Sequence, residues 1–318
     1  VASDTAETPA TYDRHRMDRT FEVVEFPSEG ARLRGRLYRS KDTKPSAVVV
    51  MAHGTSATIT MTTDSYAEVF QEAGLTVLLY DHRNFGVSGG APRQEINPWI
   101  QARGYRDAVT FVQSQGGVDR DRIALWGDSY SGAEVVVVAA VDDRVTAVVA
   151  QVPACGTELP PSDPDGSLFA LLRETLLEGD VGGGPGDTLG PMPVVSADQL
   201  TTPSLLPPIQ AFRWFIEYGG RHGTGWHNVA TRVVPKTAPF HAGIAARHLH
   251  RPLLMLIAPQ DEMPHANPDV SRAAFEAVPA TKHLIEIDGG HFGLLYFPSD
   301  LFDTSSRAQR DFLVQILM

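Results

Sequence analysis

The segment Arg122-Ile123-Ala124-Leu125-Trp126-Gly127-Asp128-Ser129-Tyr130-Ser131-Gly132 runs straight into Ala133-Glu134-Val135-Val136-Val137-Val138-Ala139-Ala140, and no other part of the chain restricts its fold as much. An apolar run stops at small residues grouped around one serine, and a second apolar run starts at once. A buried strand that turns sharply into a buried helix has this composition. At the apex of such a turn a serine hydroxyl projects out of the sheet, where it can act as a nucleophile.

The pattern of such an elbow is G-x-S-x-G, because strand and helix pass very close on either side of the serine. Here it reads Gly127-Asp128-Ser129-Tyr130-Ser131, with Gly132 one place late. Ser131 is small enough for the second glycine position. It also competes as nucleophile, but in its frame Ser129 takes the small-residue position and the leading glycine is lost. Ser129 is the better reading. A serine at a strand–helix junction can also be only an N-cap; the aliphatic strand before it and the Val/Ala helix after it favour a nucleophile.

Around this elbow the chain alternates. Apolar–polar alternations at 21–26 and 33–38, separated by Pro27-Ser28-Glu29-Gly30, predict an antiparallel hairpin. Strands are expected at 47–52, 75–80, 122–126 and 146–152, with helices at 66–73, 103–115 and 130–141. Between 156 and 247 the rhythm stops: Gly182-Gly183-Gly184-Pro185-Gly186 and Pro203…Pro207-Pro208 punctuate loops, and only 168–178 and 209–218 read as helical. It resumes with strands at 252–258 and 283–287 and helices at 270–277 and 306–317. Alternation of this kind implies an α/β class with a mostly parallel central sheet flanked by helices. The interruption implies an inserted cap over the carboxyl ends of the strands, where such sheets bind ligands. The domain reading is a flexible arm at 1–18, a core made of 19–155 and 248–318, and a cap or lid at 156–247.

A serine nucleophile needs a base and an acid, and in this strand order they follow as acid, then histidine. The strand that resumes the sheet ends in Ile257-Ala258-Pro259-Gln260-Asp261-Glu262. Asp261 is nearer the strand end and has the shorter side chain, which suits a rigid bond to imidazole; Glu262 is the reserve. The last strand is followed by Asp288-Gly289-Gly290-His291-Phe292, where two glycines let the chain turn back toward the serine. Among 11 histidines, His291 alone has both position and glycine context. An oxyanion requires aimed amide donors. Tyr130 N–H follows the nucleophile, and the loop Ala52-His53-Gly54-Thr55 offers Thr55 N–H, with Ser56 as the alternative. His53 is read as a brace for that loop.

Composition narrows the partners. The 318 residues carry a formal net charge of -11, which disfavours nucleic acid. No apolar run approaches the roughly 20 residues that cross a bilayer, so no membrane partner is expected. The single cysteine, Cys155, excludes an internal disulfide and fits a cytoplasmic setting. The expected partner is a small-molecule acyl substrate; a homodimer is an allowed assembly.

Tyr80-Asp81-His82-Arg83-Asn84-Phe85-Gly86-Val87-Ser88-Gly89-Gly90 resembles the D-x-R-x-x-G-x-S loop of α/β-hydrolases. With Pro92-Arg93-Gln94-Glu95-Ile96-Asn97-Pro98, the elbow, Gln151-Val152-Pro153, Trp226-His227-Asn228…Thr231-Arg232 and Gly289-Gly290-His291-Phe292, the chain from about residue 20 resembles one subgroup. This comprises dienelactone-hydrolase-like and X-Pro-peptidase-like serine hydrolases, including fungal polyketide acyl transferases. The resemblance implies the α/β-hydrolase fold and serine-dependent acyl chemistry with no metal or organic cofactor. Ser129 stands where true dienelactone hydrolases carry cysteine.

The expected reaction is hydrolysis of a carboxylic ester, thioester or lactone through Ser129, His291 and Asp261 and an acyl-enzyme. An acyltransferase with the same triad, or a non-catalytic binding protein on this fold, are the alternatives. Phe212, Trp214, Phe215, Tyr218 and Trp226 are candidates to line an acyl pocket, although packing of the cap explains each one singly.

Overall fold

The computed structural model describes residues 21–182, 186–234 and 238–318. The arm expected at 1–18 lies outside the described residues. In chain order the elements are β1 (Glu22–Ser28), β2 (Ala31–Tyr38), β3 (Ser46–Ala52), α1 (Thr63–Glu72), β4 (Thr76–Tyr80), β5 (Glu95–Ile96), α2 (Pro98–Gln113), β6 (Val118–Asp128), α3 (Ser129–Val141), β7 (Ala147–Gln151), α4 (Ser167–Leu177), β8 (Thr188–Met192), α5 (Ile209–Gly219), β9 (Ala230–Val233), α6 (Ala242–Ala246), β10 (Leu253–Ile257), α7 (Pro268–Ala277), β11 (Lys282–Glu286) and α8 (Asp300–Leu317).

Eight strands form one sheet in the order β1-β2-β4-β3-β6-β7-β10-β11. From β4 to β11 all neighbours are parallel, and the β1–β2 hairpin joins antiparallel through β2 and β4. The hairpin turns on Glu29 and Gly30, both at positive φ, as a tight two-residue loop between right-twisted strands requires. Central strands are buried on both faces, so β3 is continuously aliphatic. Its Val48, Val50 and Ala52 enter one core layer with α2, α3, α6 and α7. Ala47, Val49 and Met51 enter the other, with α1 and α8.

Helix starts differ most from the sequence reading. α2 begins at Pro98, not near 103, because Asn97 caps it by accepting from the amides of Trp99 and Ile100. α8 begins at Asp300, since the Ser299 hydroxyl accepts from Phe302 N. Between β7 and β10 the chain adds α4, α5, α6 and the strands β8 and β9, which join β5 in a short three-stranded sheet ordered β5-β9-β8. These strands escaped the sequence reading because they are short, and because β5 comes from before α2. α6 sits against α3 and α7, so the core layer begins again before residue 248. Among the described residues, no helix is long and apolar enough to cross a membrane, and no group of three or more His, Cys, Asp or Glu could hold a metal ion.

Candidate active site

The site lies at the carboxyl ends of the central strands. β6 ends at Asp128, and Ser129 opens α3 at φ 53, a left-handed conformation rarely tolerated by a side-chain-bearing residue. The tight turn explains the glycine at 127: a Cβ there would collide with the carbonyl of Ser131. The late glycine has its own cause. A Cβ at Gly132 would lie 3.0 Å from Pro153 Cα, so Gly132 lets α3 pass the end of β7. Ala154 N–H donates to Ser129 O at 2.8 Å and ties the elbow to the same segment.

The loops after β10 and β11 bring Asp261 and His291 to this apex. His291 Nε2 is 2.9 Å from Ser129 Oγ, and His291 Nδ1 is 2.7 Å from Asp261 Oδ2. The other Asp261 oxygen accepts from Met263 N at 2.8 Å, which fixes the carboxylate plane. Both side chains are about 2% exposed. Glu262, the reserve acid, does not reach the ring and instead accepts the His291 backbone N–H at 2.9 Å. Gly290 takes φ 69, a left-handed backbone that favours glycine, and lies against the Glu262 carboxylate. The order serine, acid, histidine therefore closes into one relay with Asp261 as the partner of His291.

Thr55 and Tyr130 line the same cavity as Ser129. Tyr130 N–H lies in the first turn of α3, where amides have no intrahelical acceptor. The Thr55 loop is held against the elbow: Gly54 N–H donates to Asp128 Oδ1 at 3.0 Å, and a Cβ on Gly54 would come within 2.8 Å of Ser129 Cβ. Ser56, the alternative donor, does not line the cavity. Asp128 is pushed up to about 6 by burial, against the opposing pull of His53, His291 and the Gly54 amide.

Behind the elbow sits a buried polar cluster that the sequence reading did not assemble. Ser131 Oγ lies 2.6 Å from His53 O, 2.8 Å from His82 Nε2 and 3.0 Å from Glu134 Oε2. Glu134 and His82 are fully buried. Burial holds the Glu134 carboxyl well above its ordinary range; burial, then His53, holds His82 well below. The signal for Glu134 was a lone acid inside an aliphatic helix. Asp81, from the loop after β4, braces the same region: its Oδ1 accepts from Ile59 N and its Oδ2 from Val87 N, both at 2.9 Å, and His53 Nε2 is 3.4 Å from Oδ1. His53 is thus part of the brace, with Nδ1 donating to Gly54 O at 2.9 Å.

The cavity in front of Ser129 has about 70 Å³ of free volume, several times the roughly 10–15 Å³ that one water needs. Its walls are mainly apolar, including Ile96, Leu206, Met263 and Phe292. Of the five aromatics expected from the insertion, Trp214 and Phe215 line it. The other three pack instead. Tyr218 stacks on Trp214 and its hydroxyl accepts from Phe297 N at 2.8 Å; Trp226 covers Gly219 and Phe215; Phe212 rests on the core. α5 is amphipathic, and only its inward face reaches the cavity.

The family model "Serine aminopeptidase, S33" matches residues 43–182. A thiohydrolase of Aspergillus aculeatus, aneE, is 44% identical over 137 residues, 43% of this chain and 42% of its own length. The matched stretch therefore spans less than half of that relative. The quorum-quenching protein AidA of Acinetobacter baumannii is 27% identical over 305 residues, 92% of this chain and 94% of its own. Polyketide transferase grgF of Penicillium sp. is 37% identical over 131 residues, 41% of this chain and 44% of its own. A crystal structure of the α/β hydrolase GrgF from Penicillium sp. sh18 superposes with a TM-score of 0.71 at 24% identity, covering 94% of this chain and 99% of that one.

Proposed function

We propose that this chain, an α/β-hydrolase by fold and sequence similarity, cleaves a carboxylic ester or thioester through an acyl-enzyme on Ser129. The observation that carries the reading is the continuous relay from Asp261 through His291 to Ser129, at 2.7 and 2.9 Å, facing an apolar cavity. His291 Nε2 takes the Ser129 proton as Oγ attacks the carbonyl carbon, and Asp261 holds the ring tautomer and stabilises the imidazolium. The oxyanion collects the amides of Tyr130 and Thr55. His291 then returns the proton to the departing alkoxide or thiolate. Water, activated by the same imidazole, releases the acid. Similarity to a thiohydrolase favours thioesters among the possible substrates.

A second reading keeps the acyl-enzyme and replaces water with an acceptor nucleophile. The apolar lining around Ser129, and similarity to a polyketide transferase, favour it. Either reading suits a cytoplasmic setting, with the buried Cys155 thiol pushed up to about 12 and unreactive.

The test is labelling by a fluorophosphonate together with turnover of an activated thioester. The wild-type chain takes up one label and releases thiol, and Ser129→Ala does neither. A mutant that still labels at the wild-type rate overturns the reading. Product analysis with and without an added alcohol or amine separates transfer from hydrolysis.

A further inference from the structure

One charged side chain in the cavity takes no part in the relay. Arg232 lies on β9, paired with Ile96 of β5, and both residues line the cavity. Its β9 neighbours Ala230 and Val233 are buried, so the short sheet fixes where the guanidinium emerges. Arg232 Nη1 sits 3.4 Å from His265 Nε2, and the guanidinium meets the Tyr130 phenol. Both neighbours are neutral. Burial, then Arg232, holds His265 below its ordinary range, and burial pushes the phenol up to about 12. The carboxylates around Ser129 are committed elsewhere, Asp128 to Gly54 N–H and Asp261 to His291 and Met263. Among the described residues, no carboxylate forms an ion pair with Arg232.

A guanidinium presents a planar fork of donors that matches a carboxylate. Part-buried in a mainly apolar wall and paired with no carboxylate, it offers an incoming anion a partner there. We propose that Arg232 is a specificity-determining residue that selects acyl groups bearing a terminal carboxylate, the mono-thioesters or mono-esters of short dicarboxylic acids. Ser129 and Arg232 line the same small cavity, so the attacked carbonyl and the bound carboxylate belong to one short chain. Glutaryl is a short acyl group of this class. The proposal rests on the acyl-enzyme reading above and adds the class of acyl group.

The test compares glutaryl-N-acetylcysteamine with the neutral thioester in which the free carboxylate is replaced by a carboxamide, following thiol release. In the wild-type chain kcat/KM favours the carboxylate by about tenfold or more, the size of one charge-assisted contact. Arg232→Gln abolishes that ratio, and Arg232→Lys restores part of it. Free glutarate slows fluorophosphonate labelling of Ser129 in the wild-type chain and not in Arg232→Gln. A wild-type ratio near one, or a ratio that Arg232→Gln leaves intact, overturns the proposal while labelling keeps the acyl-enzyme reading. Absence of both labelling and turnover overturns the acyl-enzyme reading and this proposal with it.

Discussion

Ser131 Oγ donates to the carbonyl oxygen of His53 across 2.6 Å, joining the first turn of α3 to the loop that carries Gly54 and Thr55. A hydroxyl has one proton, and the carbonyl can only accept, so that proton is spent on His53. The remaining neighbours, His82 Nε2 and Glu134 Oε2, must then donate to Ser131. His82 is therefore the neutral Nε2–H tautomer, and Glu134 is a neutral carboxylic acid. Full burial of both side chains favours these uncharged forms. Ser131 is 1% exposed and does not line the cavity, so its hydroxyl braces the His53 loop and does not face the space in front of Ser129.

This proton count separates two substitutions at one position. Glu134→Gln supplies an N–H donor of similar shape, and kcat stays within about threefold of wild type. Ser131→Ala releases the His53 carbonyl, and Glu134→Ala removes the group that holds the Ser131 hydroxyl in place; both loosen the loop that carries Thr55, lowering kcat about tenfold to a hundredfold with a smaller change in KM. Steady-state kinetics on one thioester, with fluorophosphonate labelling as a check on the nucleophile, distinguishes them. A Glu134→Gln enzyme as impaired as Glu134→Ala means that Glu134 is ionised.

The two adjacent acids after β10 give a second contrast. Asp261 alone touches the His291 ring, while Glu262 holds its backbone. Asp261→Asn presents the wrong partner to Nδ1 and lowers kcat by about 10⁴. Glu262→Gln retains an acceptor for the His291 amide and costs about tenfold at most. The reverse ranking would assign the acid's role to Glu262.

Asp128 makes stability depend on pH. Its folded-state value is raised from 3.8 to about 6 by burial, so between those values the folded chain binds more protons than the unfolded one. Its contribution is therefore full below pH 3.8 and lost as pH rises through about 6, a change of about 3 kcal/mol. Asp128→Asn keeps an oxygen for Gly54 N–H and removes the titration. Urea unfolding at pH 4 and pH 7.5 reads most of the difference: the variant gains on wild type by about 2 kcal/mol between the two. A gap independent of pH shows that Asp128 titrates alike in both states.

What the sequence made legible follows from how locally each feature is encoded. The elbow, the loops after the last two strands and the doubly buried strands are each written in contiguous residues, so Ser129, Asp261 and His291 are legible in the sequence. The Ser131 cluster could not, because His53, His82 and Glu134 come from three separate elements and meet only when β3, β4 and α3 pack. β5, β8 and β9 are too short to show periodicity. The aromatics of α5 were legible as a group. Which of them face Ser129 depends on the rotation of one helix, and composition does not record it.

Trp214 shows what that rotation decides. Its ring lines the cavity, stacks on Tyr218 at 5.4 Å and approaches Phe292 at 5.5 Å, and its Nε1–H donates to Leu295 O at 3.0 Å. Trp214→Ala opens the ring's volume to the cavity and costs stability, about 3–5 kcal/mol for a buried indole. Trp214→Phe keeps most of the wall and loses the hydrogen bond, about 1 kcal/mol. The enlarged cavity admits longer acyl chains, so kcat/KM for an octanoyl relative to a butanoyl thioester rises about tenfold in Trp214→Ala. It stays near the wild-type ratio in Trp214→Phe. Chain-length profiles of the three proteins, measured at a temperature where each is folded, decide the point. Equal losses at both chain lengths would mean that the indole only packs the insertion and that the length limit lies elsewhere in the wall.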